Sequence, residues 1–194
     1  QKRYLDEQDR HSAKGRVNRI SYAYDRGGRL CRVTDSTGAV SEYTYNSRGQ
    51  RTVVRNKIRE DVWQETGYTY SPCGNIIKVA VSADENGCGR KYAFTTYTYD
   101  GNGNITGIQL PSGDEIHREY DLCDRITAEH YREKNGGIDN RITYHYDKNG
   151  NLTEIRYQDG YTITMRYDVM DRLVSRTEGR GTTRMTYDPV SYTH

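Results

Sequence analysis

One short motif recurs along the chain at a nearly constant interval, and this repetition constrains the fold more than any single residue does. Each copy has a tyrosine, usually an aspartate, two variable residues, a glycine or aspartate, a polar residue and an aliphatic residue, as in 24–30 and 146–152. The tyrosines are 20 or 21 residues apart except in three units, which carry insertions. An interval of this length predicts a repeat protein in which each unit packs against its neighbours.

The tyrosine that begins each copy, here called the anchor tyrosine, is followed by the signal for a turn. Aspartate after this tyrosine and glycine three residues later favour a type I turn, in which the carboxylate accepts a local backbone hydrogen bond. Glycine supplies the positive φ that closes such a hairpin, and aspartate tolerates the same conformation better than most residues. We therefore predict hairpin turns at these positions, called anchor turns below. Their structural repeat residues are Tyr24, Asp25, Gly28, Tyr45, Gly49, Tyr70, Gly74, Tyr99, Asp100, Gly103, Tyr120, Asp121, Asp124, Tyr146, Asp147, Gly150, Tyr167, Asp168 and Asp171.

The segments on both sides of the anchor turns have the pattern of β-strands. Tyr22 and Tyr24 are two positions apart, as are Tyr144 and Tyr146, which puts both rings of a pair on one face of a strand. A second turn signal falls in the middle of each unit, for example at 35–38. We predict an all-β fold of consecutive antiparallel hairpins of about 21 residues that form an open, curved repeat sheet with almost no helix. Equivalent tyrosines of stacked units would form a ladder that holds the units together.

This pattern divides the chain into three parts. Residues 1–21 are expected to be a partial N-terminal repeat. Residues 22–189 are expected to be the repeat sheet, with seven units and the start of an eighth. Residues 190–194, Val-Ser-Tyr-Thr-His, resemble a translated sequencing-adaptor end, so we expect a non-native tail there.

The charge and the cysteines exclude several classes of function. The net charge is only +2, from 29 basic and 27 acidic residues that are interspersed, which is not the pattern of a nucleic-acid-binding protein. No apolar run is long enough to span a membrane. Cys31, Cys73, Cys88 and Cys123 have neither metal-binding nor disulfide-framework spacing, so we predict free thiols.

The segments that resemble ligand sites are explained by the anchor turn itself. Residues 100–104 and 147–151 have the spacing of the start of a calcium loop, but they lack its glycine at position six and its glutamate at position twelve. Gly101 and Gly103 lack the third glycine of a dinucleotide fingerprint. The histidines, among them His117 and His130, are not at metal-binding spacing. We therefore predict no catalytic residue, no metal, no cofactor and no enzymatic activity.

The tyrosines allow a second interpretation, because aromatic rings also pack against sugars. Their fixed place beside the turns favours the packing ladder. Tyrosines outside the ladder, such as Tyr131, Tyr157 and Tyr161, would be better platforms for a sugar. Ladder rings that lay flat and exposed would contradict the packing interpretation.

The pattern Tyr-x-Tyr-Asp-x-x-Gly-Arg/Asn-Leu/Ile resembles the YD repeat of RHS proteins, over about residues 16–189. Some positions depart from it. They are Asn46, Ser71 and Arg51, together with Arg118 and Met165, which stand where the first tyrosine of a pair is expected. The departures weaken individual units and leave the repeat in phase.

The resemblance implies a β-sheet strip that spirals into a hollow shell. In bacterial polymorphic toxins and insecticidal toxin complexes such a shell encloses a C-terminal effector, and in teneurins it forms an extracellular scaffold. For this chain it implies a structural segment of a bacterial RHS-type shell, secreted or at the cell surface. Its partners would be the remaining RHS repeats and a C-terminal effector or toxin domain of the same chain. The alternative is a cell-surface carbohydrate-binding repeat module with glycans as partners. Neither interpretation implies nucleic acid or a membrane span.

Overall fold

The structure is a computed structural model that describes residues 10–11, 17–83, 91–136 and 139–187. Cys88, the start of the eighth unit at Asp188 and Pro189, and the expected tail at 190–194 lie outside the described residues. The chain divides into two compact units, Gln1–Tyr97 and Thr98–His194.

In the first unit a short strand pair precedes a sheet in which each strand pairs antiparallel with the next one along the chain. The short pair is β1 (Arg10–His11) and β2 (Val17–Asn18). The strands of the sheet are β3 (Ile20–Tyr24), β4 (Leu30–Asp35), β5 (Val40–Tyr45), β6 (Arg51–Arg59), β7 (Val62–Tyr70), β8 (Ile76–Ala83) and β9 (Lys91–Tyr99), whose last two residues belong to the second unit.

The second unit repeats this arrangement, again with antiparallel pairs between consecutive strands. Its strands are β10 (Ile105–Gln109), β11 (Glu115–Tyr120), β12 (Ile126–Arg132), β13 (Asn140–Tyr146), β14 (Leu152–Tyr157), β15 (Thr162–Tyr167), β16 (Leu173–Glu178) and β17 (Gly181–Arg184).

These strands confirm the predicted fold class. The fold is all-β, the hairpins are antiparallel and consecutive, and in each unit the first and last strands do not pair, so the sheet is open. The part of the chain that the structure describes contains no helix. The sheet strands have four to nine residues. The curvature predicted from the sequence stays a prediction.

The sheet buries few side chains completely, because each unit is a single layer of strands. Val40, Ala128 and Ile163 are the buried hydrophobic residues among those described, and Ser82 and Glu129 are the buried polar ones. Most other strand residues are half-buried. With so small a core, contacts between neighbouring strands and turns must supply much of the stability, as in other repeat proteins.

A β-bulge accompanies the anchor turns. Ala23 pairs with Arg32 and Tyr24 pairs with Leu30, so Cys31 is an extra residue on the second strand of the hairpin. The register shifts in the same way beside Tyr45, Tyr70, Tyr120, Tyr146 and Tyr167. A bulge at a fixed place in each hairpin sets the strand register and increases the local twist. This bulge was not predicted from the sequence.

Candidate functional site

The candidate site of this protein is the anchor turn, which the chain builds several times. In the first copy the Asp25 backbone N–H donates to the Arg29 carbonyl at 2.8 Å, and the Gly28 N–H donates to the Asp25 carbonyl at 3.1 Å. Gly28 has a φ of 76°, so the loop closes with a left-handed residue. The same two bonds close the turns that begin at Asn46, Ser71, Asp100, Asp121, Asp147 and Asp168.

The side chain of the first turn residue holds the loop from inside. Asp25 Oδ1 accepts the backbone N–H groups of Gly27 at 2.9 Å and Arg29 at 3.0 Å, and Oδ2 accepts Arg29 Nε at 2.7 Å. The pKa of the Asp25 carboxyl is below its ordinary value, chiefly because the Arg29 backbone N–H favours the ionised form. In the Asp121 turn the pKa is lowered first by the Arg125 side chain and then by its backbone N–H.

Two departures from the motif keep part of this bonding. Asn46 Oδ1 accepts the N–H groups of Arg48 at 3.0 Å and Gln50 at 2.9 Å, so the amide replaces the carboxylate without loss of backbone bonds. In the turn at Ser71 the hydroxyl accepts the Asn75 N–H at 3.1 Å. The turn therefore requires an oxygen acceptor at this position rather than a charge.

The anchor tyrosines join one hairpin to the preceding one through their hydroxyl groups. Tyr45 Oη donates to the carbonyl of Leu30 at 2.7 Å, the residue with which the return strand of the preceding hairpin begins. The equivalent bonds are Tyr70 to Arg51 at 2.6 Å, Tyr120 to Ile105 at 2.8 Å, Tyr146 to Ile126 at 2.9 Å, Tyr167 to Leu152 at 3.0 Å and Tyr187 to Leu173 at 2.8 Å. A buried or half-buried tyrosine hydroxyl needs such a partner, and phenylalanine at these positions could not make the bond.

This bond also explains why Arg51 is tolerated at an aliphatic position. The acceptor is the backbone carbonyl, which every residue supplies, and the Arg51 guanidinium carbon lies 4.4 Å from the centroid of the Tyr43 ring. Burial raises the pKa of Tyr146 and Tyr167 above the ordinary tyrosine value. These contacts support a structural role for the ladder.

Neighbouring anchor turns bond to each other where aspartate takes the left-handed position. Asp124 has a φ of 59°, and its Oδ1 accepts Asn102 Nδ2 at 2.9 Å and Asn104 Nδ2 at 2.6 Å from the preceding turn. The second copy is the same: Asp171 Oδ1 accepts Asn149 Nδ2 at 2.9 Å and Asn151 Nδ2 at 2.6 Å. From the sequence alone these aspartates were expected only as tolerated substitutes for glycine. The structure gives them partners of their own.

Where glycine takes that position, the preceding turn bonds to backbone instead. Arg29 Nη1 donates to the Asn46 carbonyl at 3.0 Å, and Gln50 Nε2 donates to the Gly74 carbonyl at 3.3 Å. Both aspartates at this position follow a turn whose polar residue is asparagine, whereas the glycine turns at Asn46 and Ser71 follow arginine and glutamine.

We predict that Asp124→Gly will lower the free energy of unfolding by about 1 kcal/mol, because it keeps the left-handed φ and removes two exposed hydrogen bonds. Asp124→Ala should lower it by about 1 kcal/mol more, because alanine is strained at positive φ. Urea denaturation followed by circular dichroism measures both. The control is Asp61→Gly: Asp61 is also left-handed (φ 61°) and the structure shows no hydrogen bond to its carboxylate. An Asp124→Gly variant as stable as the parent chain would show that the cross-turn bonds contribute nothing.

A buried polar cluster lies on the sheet of the second unit. Glu129 is 7% exposed, and its carboxylate accepts Arg118 Nε at 2.8 Å and Tyr144 Oη at 2.6 Å. Arg118 lies opposite Glu129 in the pairing of β11 with β12. Burial and the adjacent Glu129 carboxylate raise the pKa of Tyr144 and of Tyr131. Arg118 stands where a ladder tyrosine is expected, and this departure was the signal in the sequence that could have indicated the cluster.

The three tyrosines named as sugar platforms do not form one surface. Tyr157 and Tyr161 are 5.7 Å apart between ring centroids but tilted by 54°, and only Tyr161, at 43%, is exposed. Tyr131 is half-buried beside the Glu129 cluster.

The two histidines named above lie in contacts within the sheet. His117 and His130 face each other across β11 and β12, and their Nε2 atoms lie 3.2 Å and 3.1 Å from Glu115 and Glu119. Within the described ranges, no three histidine, cysteine, aspartate or glutamate side chains gather as metal ligands. Cys31, Cys73 and Cys123 are free thiols. The described part of the chain contains no helix that is long and apolar enough to cross a membrane.

The fold and the repeated turn together define a class, the β-sheet repeat proteins built from tyrosine–aspartate hairpins. The family model described as RHS Repeat matches residues 99–135 and 146–183. Each matched segment begins at an anchor tyrosine, Tyr99 or Tyr146, and includes two anchor turns. The two matched segments are RHS repeats.

Solved structures have the same fold. The crystal structure of TcdB2–TccC3 without its hypervariable C-terminal region matches with a TM-score of 0.58 and 14% identity, over 88% of this chain and 11% of that one. The crystal structure of TcdB2–TccC3–Cdc42 matches with a TM-score of 0.51 and 19% identity, over 81% of this chain and 10% of that one. No curated protein sequence matches the chain. The chain thus spans about a tenth of the length of these structural relatives.

Proposed function

We propose that this chain is a structural segment of the shell of a bacterial RHS-type protein that encloses or presents a C-terminal effector domain. The observation that carries the proposal is that the motif residues form hydrogen bonds within and between the hairpins. The anchor tyrosines, the turn aspartates and the left-handed residues bond to their own turn or to the neighbouring hairpin. Groups used in this way hold neighbouring hairpins together, which is a structural role.

The structural relatives support the second half of this proposal. One of them is described as lacking a hypervariable C-terminal region, which is the arrangement expected of a constant shell joined to a variable domain. By this analogy the segment has no enzymatic activity of its own, residues 22–189 are the repeat region, and the protein is secreted or carried at the cell surface. Its partners are the other repeats and the effector of the same chain.

Protease protection of the complete protein tests the proposal. The C-terminal domain should resist a protease while the shell is intact. It should become cleavable when the shell is weakened by Glu129→Leu, whereas Glu119→Gln, at the exposed Glu119, should leave the protection unchanged. A C-terminal domain that is cleaved equally fast in all three proteins would contradict enclosure.

A cell-surface carbohydrate-binding repeat module is the second candidate. Exposed aromatic rings at Tyr92, Phe94 and Tyr161 favour it. A glycan array probed with the chain distinguishes the two candidate functions. Selective binding supports the carbohydrate-binding module, and absence of binding leaves the shell role as the remaining candidate.

A further inference from the structure

Three turns of the second unit contain an asparagine followed by a glycine, at 102–103, 135–136 and 149–150. A fourth such pair, at 86–87, lies outside the described residues. In this dipeptide the backbone nitrogen of the glycine can attack the side-chain amide carbon of the asparagine, because glycine has no Cβ that hinders the approach. Asparagine is also among the thermolabile residues of proteins. The second unit therefore has three comparable candidates for one spontaneous reaction.

Neither exposure nor the attacking nitrogen distinguishes the three pairs. All three asparagines are exposed. The Gly103 N–H donates to the carbonyl of Asp100 at 3.3 Å, and the N–H groups of Gly136 and Gly150 each donate to the equivalent carbonyl of their own turn at 3.1 Å. All three glycines are left-handed, with φ between 71° and 95°. A difference in reactivity must come from the asparagine side chains.

The side-chain amides differ in their partners. Asn102 Nδ2 donates to the Asp124 carboxylate at 2.9 Å, and Asn149 Nδ2 donates to the Asp171 carboxylate at 2.9 Å. Among the described residues, none forms a hydrogen bond with the side chain of Asn135. The Asn135 amide is therefore free to rotate toward the glycine nitrogen, whereas the other two amides must first break a hydrogen bond to a charged group.

We propose that Asn135, in the loop between β12 and β13, is a site of spontaneous deamidation, and that Asp124 and Asp171 protect Asn102 and Asn149 from this reaction. The backbone nitrogen of the following glycine forms a bond to the amide carbon of Asn135. The bond from that carbon to Nδ2 breaks, and ammonia leaves with the proton of the backbone N–H. Water then opens the five-membered succinimide at one of its two carbonyls, which gives aspartate or isoaspartate.

The protected asparagines are the ones whose loss would break a contact between hairpins. Deamidation of Asn102 would replace an N–H donor with a carboxylate that faces Asp124, and two carboxylates repel each other. Deamidation of Asn135 adds one negative charge to an exposed loop and leaves the bonds between anchor turns in place. The aspartates at the left-handed position thus preserve the chemistry of the link that they form. This inference is independent of what the segment encloses or binds.

Peptide mapping by mass spectrometry of the 194-residue chain, aged at mildly alkaline pH, tests the proposal. In guanidinium chloride the three asparagines should react at similar rates, because each is followed by glycine and the fold no longer restrains it. In the folded chain Asn102 and Asn149 should react about tenfold more slowly than Asn135, because a hydrogen bond to a carboxylate must be broken first.

Asp124→Gly provides the matched variant, because glycine keeps the left-handed φ and removes the acceptor of the Asn102 amide. Deamidation of Asn102 should become about tenfold faster. Asn149 of the same molecule keeps its bond to Asp171, so its rate should not change. Asp171→Gly should reverse this result and accelerate Asn149 alone.

Three outcomes would overturn the proposal. Equal rates at the three asparagines of the folded chain would show that the carboxylates do not protect. An Asn135 that reacts in guanidinium chloride and stays intact in the folded chain would remove it as a site. If Asn102 and Asn149 both reacted faster in Asp124→Gly, general opening of the sheet would control the reaction, and the protection assigned to one bond would be wrong.

Discussion

Replacing Glu129 with leucine is expected to lower the free energy of unfolding by about 3 kcal/mol, which would be among the largest effects of any single substitution in this chain. Glu129 is 7% exposed, and its carboxylate is bonded to Arg118 and Tyr144. Without it the Arg118 guanidinium keeps its charge in a site that is only 26% exposed, and the Tyr144 hydroxyl loses its acceptor. The value is at the low end for broken buried ion pairs because Arg118 retains some contact with water.

Urea denaturation of the single and double variants isolates this cause. Arg118→Leu combined with Glu129→Leu should recover most of the lost stability, because no unpaired charge remains. Glu119→Gln is the matched control. Glu119 lies on β11 and also has charged partners, but its side chain is 56% exposed. The free energy of unfolding of this variant should stay within about 0.5 kcal/mol of the parent value. A Glu129→Leu variant that loses less than about 1 kcal/mol would show that the cluster does not stabilise the sheet.

The size of this expected effect follows from the architecture. A single layer of strands buries only a few hydrophobic side chains among the described residues, and Ala128, one of them, directly precedes Glu129. Where the apolar core is small, one satisfied polar cluster supplies a larger part of the free energy of unfolding. Contacts between neighbouring hairpins supply the rest, because there is no single central core.

The sequence predicted the features whose chemistry is local. The anchor turn forms within five residues: Asp25 bonds to the backbone of Gly27 and Arg29, and Gly28 supplies the positive φ, so residue types at fixed offsets were enough. The all-β class followed from the same offsets, because turns at this interval leave room only for short strands.

The missed features depend on residues that are far apart in the chain. Arg118 and Glu129 are 11 positions apart, and Asn104 and Asp124 are 20 apart. Which side chains meet across strands depends on the register, and a bulge such as the one beside Tyr120 shifts it by one residue. The tyrosine hydroxyls bond to backbone carbonyls, which have no side-chain signature in a sequence. The count of tyrosines against phenylalanine was the indirect sign of these bonds.

At Tyr146 the contribution of the tyrosine hydroxyl to stability can be separated from that of the ring. Its hydroxyl donates to the Ile126 carbonyl at 2.9 Å, and the Arg125 guanidinium carbon lies 4.6 Å from its ring centroid. Tyr146→Phe should lower the free energy of unfolding by about 1 kcal/mol, because one hydrogen bond is lost and the ring stays. Tyr146→Ala should lower it by about 3 kcal/mol, the low end for a buried aromatic residue, because this ring is half-buried.

The same two substitutions at Tyr187 provide the control. Tyr187 has the same contacts, a hydroxyl bond to the Leu173 carbonyl at 2.8 Å and the Arg172 guanidinium carbon 4.6 Å from its ring, but it is 43% exposed. Both variants at Tyr187 should therefore have smaller effects than their counterparts at Tyr146, and urea denaturation of the four proteins gives the comparison. If Tyr146→Phe were as destabilising as Tyr146→Ala, the hydroxyl alone would account for the ladder. If neither variant changed the stability, the repeated tyrosine would not be what joins one hairpin to the next, and its recurrence would need a cause outside the sheet.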